Sequence, residues 1–249
     1  MIMNWMASYN IIQINLNKRS AGCEDGAVCQ PSGYSADPGG ERYTEKGEIM
    51  DIRAFYLENL HVDDACLIDA LVEISHPIYL NKGDLLVRQG DRQEDFLFLV
   101  NGIFRGYYLD VNGKEVTDCI GFKSGTPAMS SAIDNAISPI SIEAVVESVF
   151  LRIDGAKLIP LIERSPLLLK IYNEVLQTAM QIHWALKVTV TQRTALERYQ
   201  WFLENYPGLI DQVSNKHIAS YLGMTPVTLS RMRRMMRERE AVEKGVQET

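Results

Sequence analysis

The 249-residue chain has no apolar run near the roughly 18 residues that span a bilayer, so no transmembrane helix and no membrane partner are expected. Histidine is scarce. His61, His76, His183 and His217 are scattered, with no metal spacing and no nucleophile–base arrangement, so neither an enzyme nor a metal barrel is expected. Cysteine is scarce too. Cys23, Cys29, Cys66 and Cys119 form no C-x-x-C pair and no zinc pattern, and an iron–sulfur cluster would need all four thiols to converge. The expectation is four reduced thiols, no metal and no cofactor. Met1 to Leu16 lack a basic n-region and a small-residue cleavage site, which points to a cytoplasmic protein. An overall basic charge is also missing, since the net charge is −7.

That deficit does not exclude nucleic acid if the positive charge is segregated, and it is. Between Ser214 and Glu240 stand Lys216, Arg231, Arg233, Arg234, Arg237 and Arg239, against only Glu238 and Glu240. Apolar residues make up 46% and charged residues 23%, enough for two modest domains each with its own core.

Residues 1–49 contain Gly22, Gly26, Pro31, Gly33, Pro38, Gly39, Gly40 and Gly47, and no amphipathic period survives from Ser20 to Glu48. This stretch is expected to be a disordered arm or a misassigned upstream start, with Met50 as the true initiator. Phe55, Leu57, Leu60, Leu67, Leu71 and Ile74 then fit short helices. Short alternating runs follow, punctuated by Lys82-Gly83-Asp84, Gln89-Gly90-Asp91, Asn101-Gly102 and Asn112-Gly113. Asn-Gly between alternating runs is a strong hairpin signal, and many short strands with regular turns predict a sandwich or barrel. Asp154 is placed to cap a short helix, and Ser165-Pro166 to start a long one. In the long helix Leu168, Tyr172, Val175, Ala179, Ile182 and Leu186 alternate spacings of four and three. That is an a/d seam suited to pairing with a second copy, or to lying on the helix's own barrel.

The most specific segment runs from Ser214 to Met232. Ser214 is placed to cap one helix and Thr225 the next, with Pro226 at the first position of the second. Ile218, Leu222, Leu229 and Met232 have core spacing, Ala219 permits close approach, and Gly223 supplies the turn. This predicts a helix-turn-helix. Its outward face of Val227, Thr228, Arg231 and Arg234 would enter a major groove. Arg231 is the expected base contact. Thr228, Ser230, Lys216, Arg233, Arg234 and Arg237 are expected at phosphates, and Val227 could meet only a thymine methyl. The capping Thr225 completes the DNA-binding set.

Barrel, long helix and helix-turn-helix in that order resemble the CRP/FNR family over about residues 51–237. The resemblance rests on the glycine turns named above and on the run Tyr221-Leu222-Gly223-Met224-Thr225-Pro226-Val227-Thr228-Leu229-Ser230-Arg231. It implies an α+β fold: a double-stranded β-helix or jelly-roll-like sensor barrel over 50–164, a dimerisation helix over 165–192, a helix-turn-helix domain over 193–240 and a flexible tail over 241–249. It implies a dimeric transcription regulator whose partners are double-stranded DNA, a second copy, a small-molecule effector and RNA polymerase. The family's ribose-binding Glu and phosphate-binding Arg are replaced by the stretches Pro127-Ala128-Met129 and Ser138-Pro139, so cAMP and cGMP are not expected. A pocket lined by Ala128, Met129, Ser130, Ser131, Ser138 and Ser141 would suit a small, weakly polar effector. The alternatives are a ligand-free structural barrel on the same regulator, or a small-molecule-binding barrel without DNA function.

Overall fold

The computed structural model describes residues 41–43, 49–128 and 137–247, with side chains over 50–128 and 137–239. Met129, Ser130 and Ser131 of the expected pocket lie outside the described residues, as does most of the 1–49 segment. Residues from 39 onward form one compact unit.

The unit begins with a small antiparallel pair, β1 (Glu41–Tyr43) with β2 (Ile49–Asp51). The expected boundary at Met50 thus falls within β2. The side chain of Asp51 caps α1 (Ile52–Asn59), and that of Asp64 caps α2 (Ala65–Glu73), each by accepting a backbone N–H of the first turn. Seven strands follow: β3 (Ser75–Leu80), β4 (Leu85–Val87), β5 (Phe96–Asn101), β6 (Phe104–Leu109), β7 (Glu115–Gly121), β8 (Ser141–Ala144) and β9 (Ser148–Ile153). They form two antiparallel sheets, ordered β3-β9-β5 and β4-β8-β6-β7. A barrel closed by hydrogen bonds is therefore not what the described strands make. The inner faces of both sheets meet instead in one apolar cluster, with Val87, Leu97, Leu99, Phe104, Ile142 and Phe150 at its centre.

Alternation along each strand sorts side chains between two sides. On β5, Leu97 and Leu99 face the inner cluster. Phe96 and Phe98 face a second one, built with α1, α2, α3 (Gly155–Arg164) and α4 (Pro166–Gln192). Asp154 caps α3, and Ser165 caps α4 with Pro166 in its first turn, as the sequence predicts. Thr194 and Glu197 make a reciprocal capping box at α5 (Ala195–Asn205). Then come α6 (Asn215–Tyr221) and α7 (Pro226–Gln247). The segment expected as a flexible tail continues α7 to Gln247. Ala, Glu, Lys and Gln there favour the helix, and polarity alone did not end it.

Candidate nucleic-acid interface

α6 and α7 are joined by a tight turn that short-range chemistry fixes at both ends. Ser214 Oγ accepts the His217 amide at 3.3 Å, and Thr225 Oγ1 accepts the Thr228 amide at 3.1 Å. Gly223 sits between them at φ +62°, where a Cβ would press on Val190 at 2.8 Å. Arg198 of α5 reaches across and donates to the carbonyls of Leu222 and Gly223, both at 3.2 Å. Those carbonyls are unsatisfied at a helix end, and a cation suits them. Sequence reasoning did not single out Arg198. Ile218, Ala219, Leu222 and Leu229 are buried, while Met224 and Met232 pack at the edge of the same aromatic-rich core around Phe202, Tyr206 and Tyr221.

Burying one side of α7 leaves the other open. Val227 is 70% exposed. Ser230, Arg231, Arg234, Arg237 and Thr225 are exposed, and Thr228 is half-buried. Arg231 has no ion pair among the described residues. Arg234 pairs with Glu238 one turn on at 3.4 Å. Arg233 is half-buried and donates to Asn215 at 2.9 Å, with Asp211 3.8 Å away, so it braces α6 against α7. Lys216 is exposed on α6 with its ammonium 3.5 Å from Glu115.

Glu115 belongs to β7, so α6 lies on the outer face of the four-stranded sheet. Beneath it is a cluster that sequence reasoning did not assemble. Arg105, only 3% exposed, donates through Nη2 to Glu143 at 2.6 Å and to Glu115 at 2.9 Å. Its guanidinium also stacks over Tyr107, 4.1 Å from the ring centre. The β6–β7 register slips by one at Asp118, and the Thr117 amide donates to Ser220 of α6 at 2.9 Å. The Arg105 guanidinium beside Glu115 holds that carboxyl below its usual range. Burial pushes His217 below the usual imidazole range, with Arg105 reinforcing the shift. Apolar contact joins the same halves, for Ile103, Ile120 and Val145 share a core with Phe202 and Tyr206.

The expected effector pocket looks different in space. Ala128 is fully buried in the inner cluster. Ser138 Oγ donates to the Ile140 carbonyl at 2.7 Å, and Ser141 Oγ accepts the Gln89 amide at 2.9 Å. Both hydroxyls serve the backbone. Apolar side chains fill the space between the sheets, and Phe104 and Phe150 meet with ring centres 5.9 Å apart. A small cavity of about 40 Å³ lies elsewhere, behind the three-stranded sheet against α4, lined by residues such as Tyr56, Phe96, Leu168 and Tyr172.

The seam of the long helix lies partly against its own chain. Leu168, Tyr172 and Val175 pack on their own sheet domain, and Leu186 packs on the C-terminal core. Ala179 and Ile182 are half-buried. Of the seam, Leu168 is buried within the chain and the other five residues are half-buried. A neighbouring stripe stays exposed instead: Leu169, Leu176, Met180, Trp184 and Val188.

Among the described residues no helix is long and apolar enough to cross a membrane, and no three His, Cys, Asp or Glu side chains are grouped as a metal site. Cys66 and Cys119 are free thiols, and burial raises that of Cys119 to about 12.

Comparison with known proteins fits this architecture. Residues 77–165 match the cyclic nucleotide-binding domain family. The transcriptional activator protein Anr of Pseudomonas protegens is 24% identical over 196 residues, covering 74% of this chain and 79% of that protein. Among solved structures, the c-di-GMP responsive global regulator CLP of Xanthomonas campestris superposes with a TM-score of 0.58 at 13% identity, covering 71% of this chain and 93% of that one. A protein of Eubacterium rectale, described as a transcriptional regulator of the CRP/FNR family, gives a TM-score of 0.53 at 17% identity over 74% of this chain and 88% of that one. The domain match, the relative and the shared fold agree, and the chain is similar to transcription regulators of the CRP/FNR type.

Proposed function

We propose that the chain is a sequence-specific DNA-binding regulator that acts as a homodimer in the cytoplasm, where its DNA is reached. The observation that carries this reading is the division of α7. Leu229 is buried and Met232 half-buried in the core, while Val227, Arg231 and Arg234 project from the other side near the helix start. A capped helix with that division can lay its first turns in a major groove, with α6 crossing the backbone. Arg231, exposed and without an ion pair, is the base-reading residue; Lys216, Arg234 and Arg237 meet phosphates. Arg233 is assigned to bracing the helix pair.

Selection from a random duplex library, followed by binding to the selected site, tests the reading. Arg231→Ala is expected to lose about 1–3 kcal/mol on that site and little on unrelated DNA. Equal binding of all sequences by the variant and the unaltered chain would refute it.

The exposed stripe on α4 supports dimerisation through that helix. Leu169, Leu176, Met180, Trp184 and Val188 repeat at seven, four, four and four residues, and Trp184 alone is 54% exposed. Trp184→Glu with Met180→Glu is expected to give a folded monomer by sedimentation, while the unaltered chain sediments as a dimer. An effector other than cAMP or cGMP is favoured because Arg105 points away from the space between the sheets and is already paired with Glu115 and Glu143. A buried phosphate would thus lack a counter-charge there. Calorimetric titration with either nucleotide is expected to give no saturable heat.

A further inference from the structure

Lys216 is a residue the proposed DNA surface needs, yet it is engaged by the sheet. Its ammonium lies 3.5 Å from Glu115 Oε2. That oxygen is not free to drift, since it also accepts from Arg105 Nη2 at 2.9 Å. Arg105 is in turn clamped by Glu143 through Nε at 3.1 Å and Nη2 at 2.6 Å. A buried guanidinium therefore presents the Glu115 carboxylate to α6 from a fixed position. The Thr117–Ser220 bond seats α6 against β7 one turn further along. An ammonium is a single point charge, and a carboxylate and a DNA phosphate are rival counterions for it.

We propose that Glu115 is a latch: it holds Lys216 against the sheet domain and competes with DNA phosphate for it. The latch rests on the reading of α6 and α7 as the DNA surface and adds how that surface is regulated. Any change that shifts β6 or β7 moves the carboxylate, and so changes how much positive charge α6 offers. The neighbouring His217 is half-buried toward the same cluster, where burial, then Arg105 and Lys216, oppose its protonation and Glu143 and Glu115 favour it.

The test uses the full chain and a mixed-sequence duplex at low salt, read by fluorescence anisotropy. Glu115→Gln keeps the shape of the side chain and an acceptor for Arg105 while removing the charge that attracts Lys216. It is expected to bind about two- to fivefold more tightly, the range for a partly exposed ion pair, with a salt dependence steeper by about one counterion. In a Lys216→Ala background the same substitution is expected to change nothing. A gain that needs Lys216 supports the latch. A gain in both backgrounds reports only a general field and overturns it, as does no gain or a loss. If the unaltered chain binds no duplex, the DNA reading falls and takes the latch with it. Should Glu115→Gln fail to fold, Ser220→Ala, which removes the bond seating α6, carries the test with the same Lys216-dependent gain and the same overturning results.

Discussion

The two faces of β6 differ as sharply as any two regions of the molecule. Phe104 points between the sheets, against Phe150, in a cluster of apolar side chains. Its neighbour Arg105 points outward, equally buried, into a cluster of charges covered by α6. One face holds the sheets together without direction, because apolar burial has none. The other is directional, and its partners lie on strands and on a helix of the other half of the chain. An apolar interior can be repacked at tolerable cost. A buried ion network cannot lose one member without stranding the rest. The inner face is thus built for cohesion, and the outer face for communication between the halves.

Three measurements would sharpen or break that contrast. The largest effect is expected at the inner face. Phe150→Ala removes a fully buried ring and should cost about 3–5 kcal/mol in denaturant unfolding, with the whole compact unit destabilised. A cost under about 1 kcal/mol would mean that the sheets do not depend on this cluster. Next is Arg105→Ala, which leaves Glu115 and Glu143 facing each other. Both carboxylates are partly solvated, so about 2–3 kcal/mol is expected, less than for a fully buried pair. Its signature is a deficit that narrows at acid pH, where the unaltered chain also loses the contribution of the Arg105–Glu115 contact. A pH-independent deficit would show lost packing instead.

The smallest effect is the titration of His217. Its folded pKa lies below the ordinary 6.5, so the unfolded chain binds more protons in that range. Its contribution to stability is therefore full above pH 6.5 and declines as pH falls through that value toward the depressed folded pKa. The lowered carboxyl of Glu115 acts further down: its contribution is full above the ordinary 4.5 and is lost at more acid pH. Melting temperature followed from pH 7.5 to 5, values chosen for the test, should fall by a component that His217→Gln removes. An identical pH profile in that variant would show that α6 does not feel this imidazole.

The helix pair is legible in the sequence because its signals span a few residues. Ser214 and Thr225 cap helices three residues away, Gly223 turns the chain, and Ile218, Ala219, Leu222 and Leu229 declare one buried side. The hairpin turn at Asn112-Gly113, between the paired β6 and β7, is legible for the same reason, whereas Asn101-Gly102, expected as a hairpin turn, carries the chain from β5 in one sheet to β6 in the other. The seam on α4 is legible as a period but not as a destination. Periodicity says that one side of a helix is apolar, whereas the helix also carries Leu169, Leu176, Met180, Trp184 and Val188. Which stripe meets its own chain depends on where the sheet lies. Nothing in the sequence marks the hydroxyls of Ser138 and Ser141 as partners of the Ile140 carbonyl and the Gln89 amide, because those backbone groups come within reach only once the chain is folded.

Caps, turns and periods act within one or two turns of chain, so strands β3 to β9 and the buried face of each helix of the pair can be read from the sequence, while β1 and the last turns of α7 cannot. What joins the halves depends on contacts distant in the chain. Arg105 finds Glu143 across 38 residues, and Thr117 finds Ser220 across 103. A charge on an alternating strand carries no mark of its partner. The pairing is settled by register, by the slip at Asp118 and by the packing of α6 on β7, all of which follow from burying the apolar faces first.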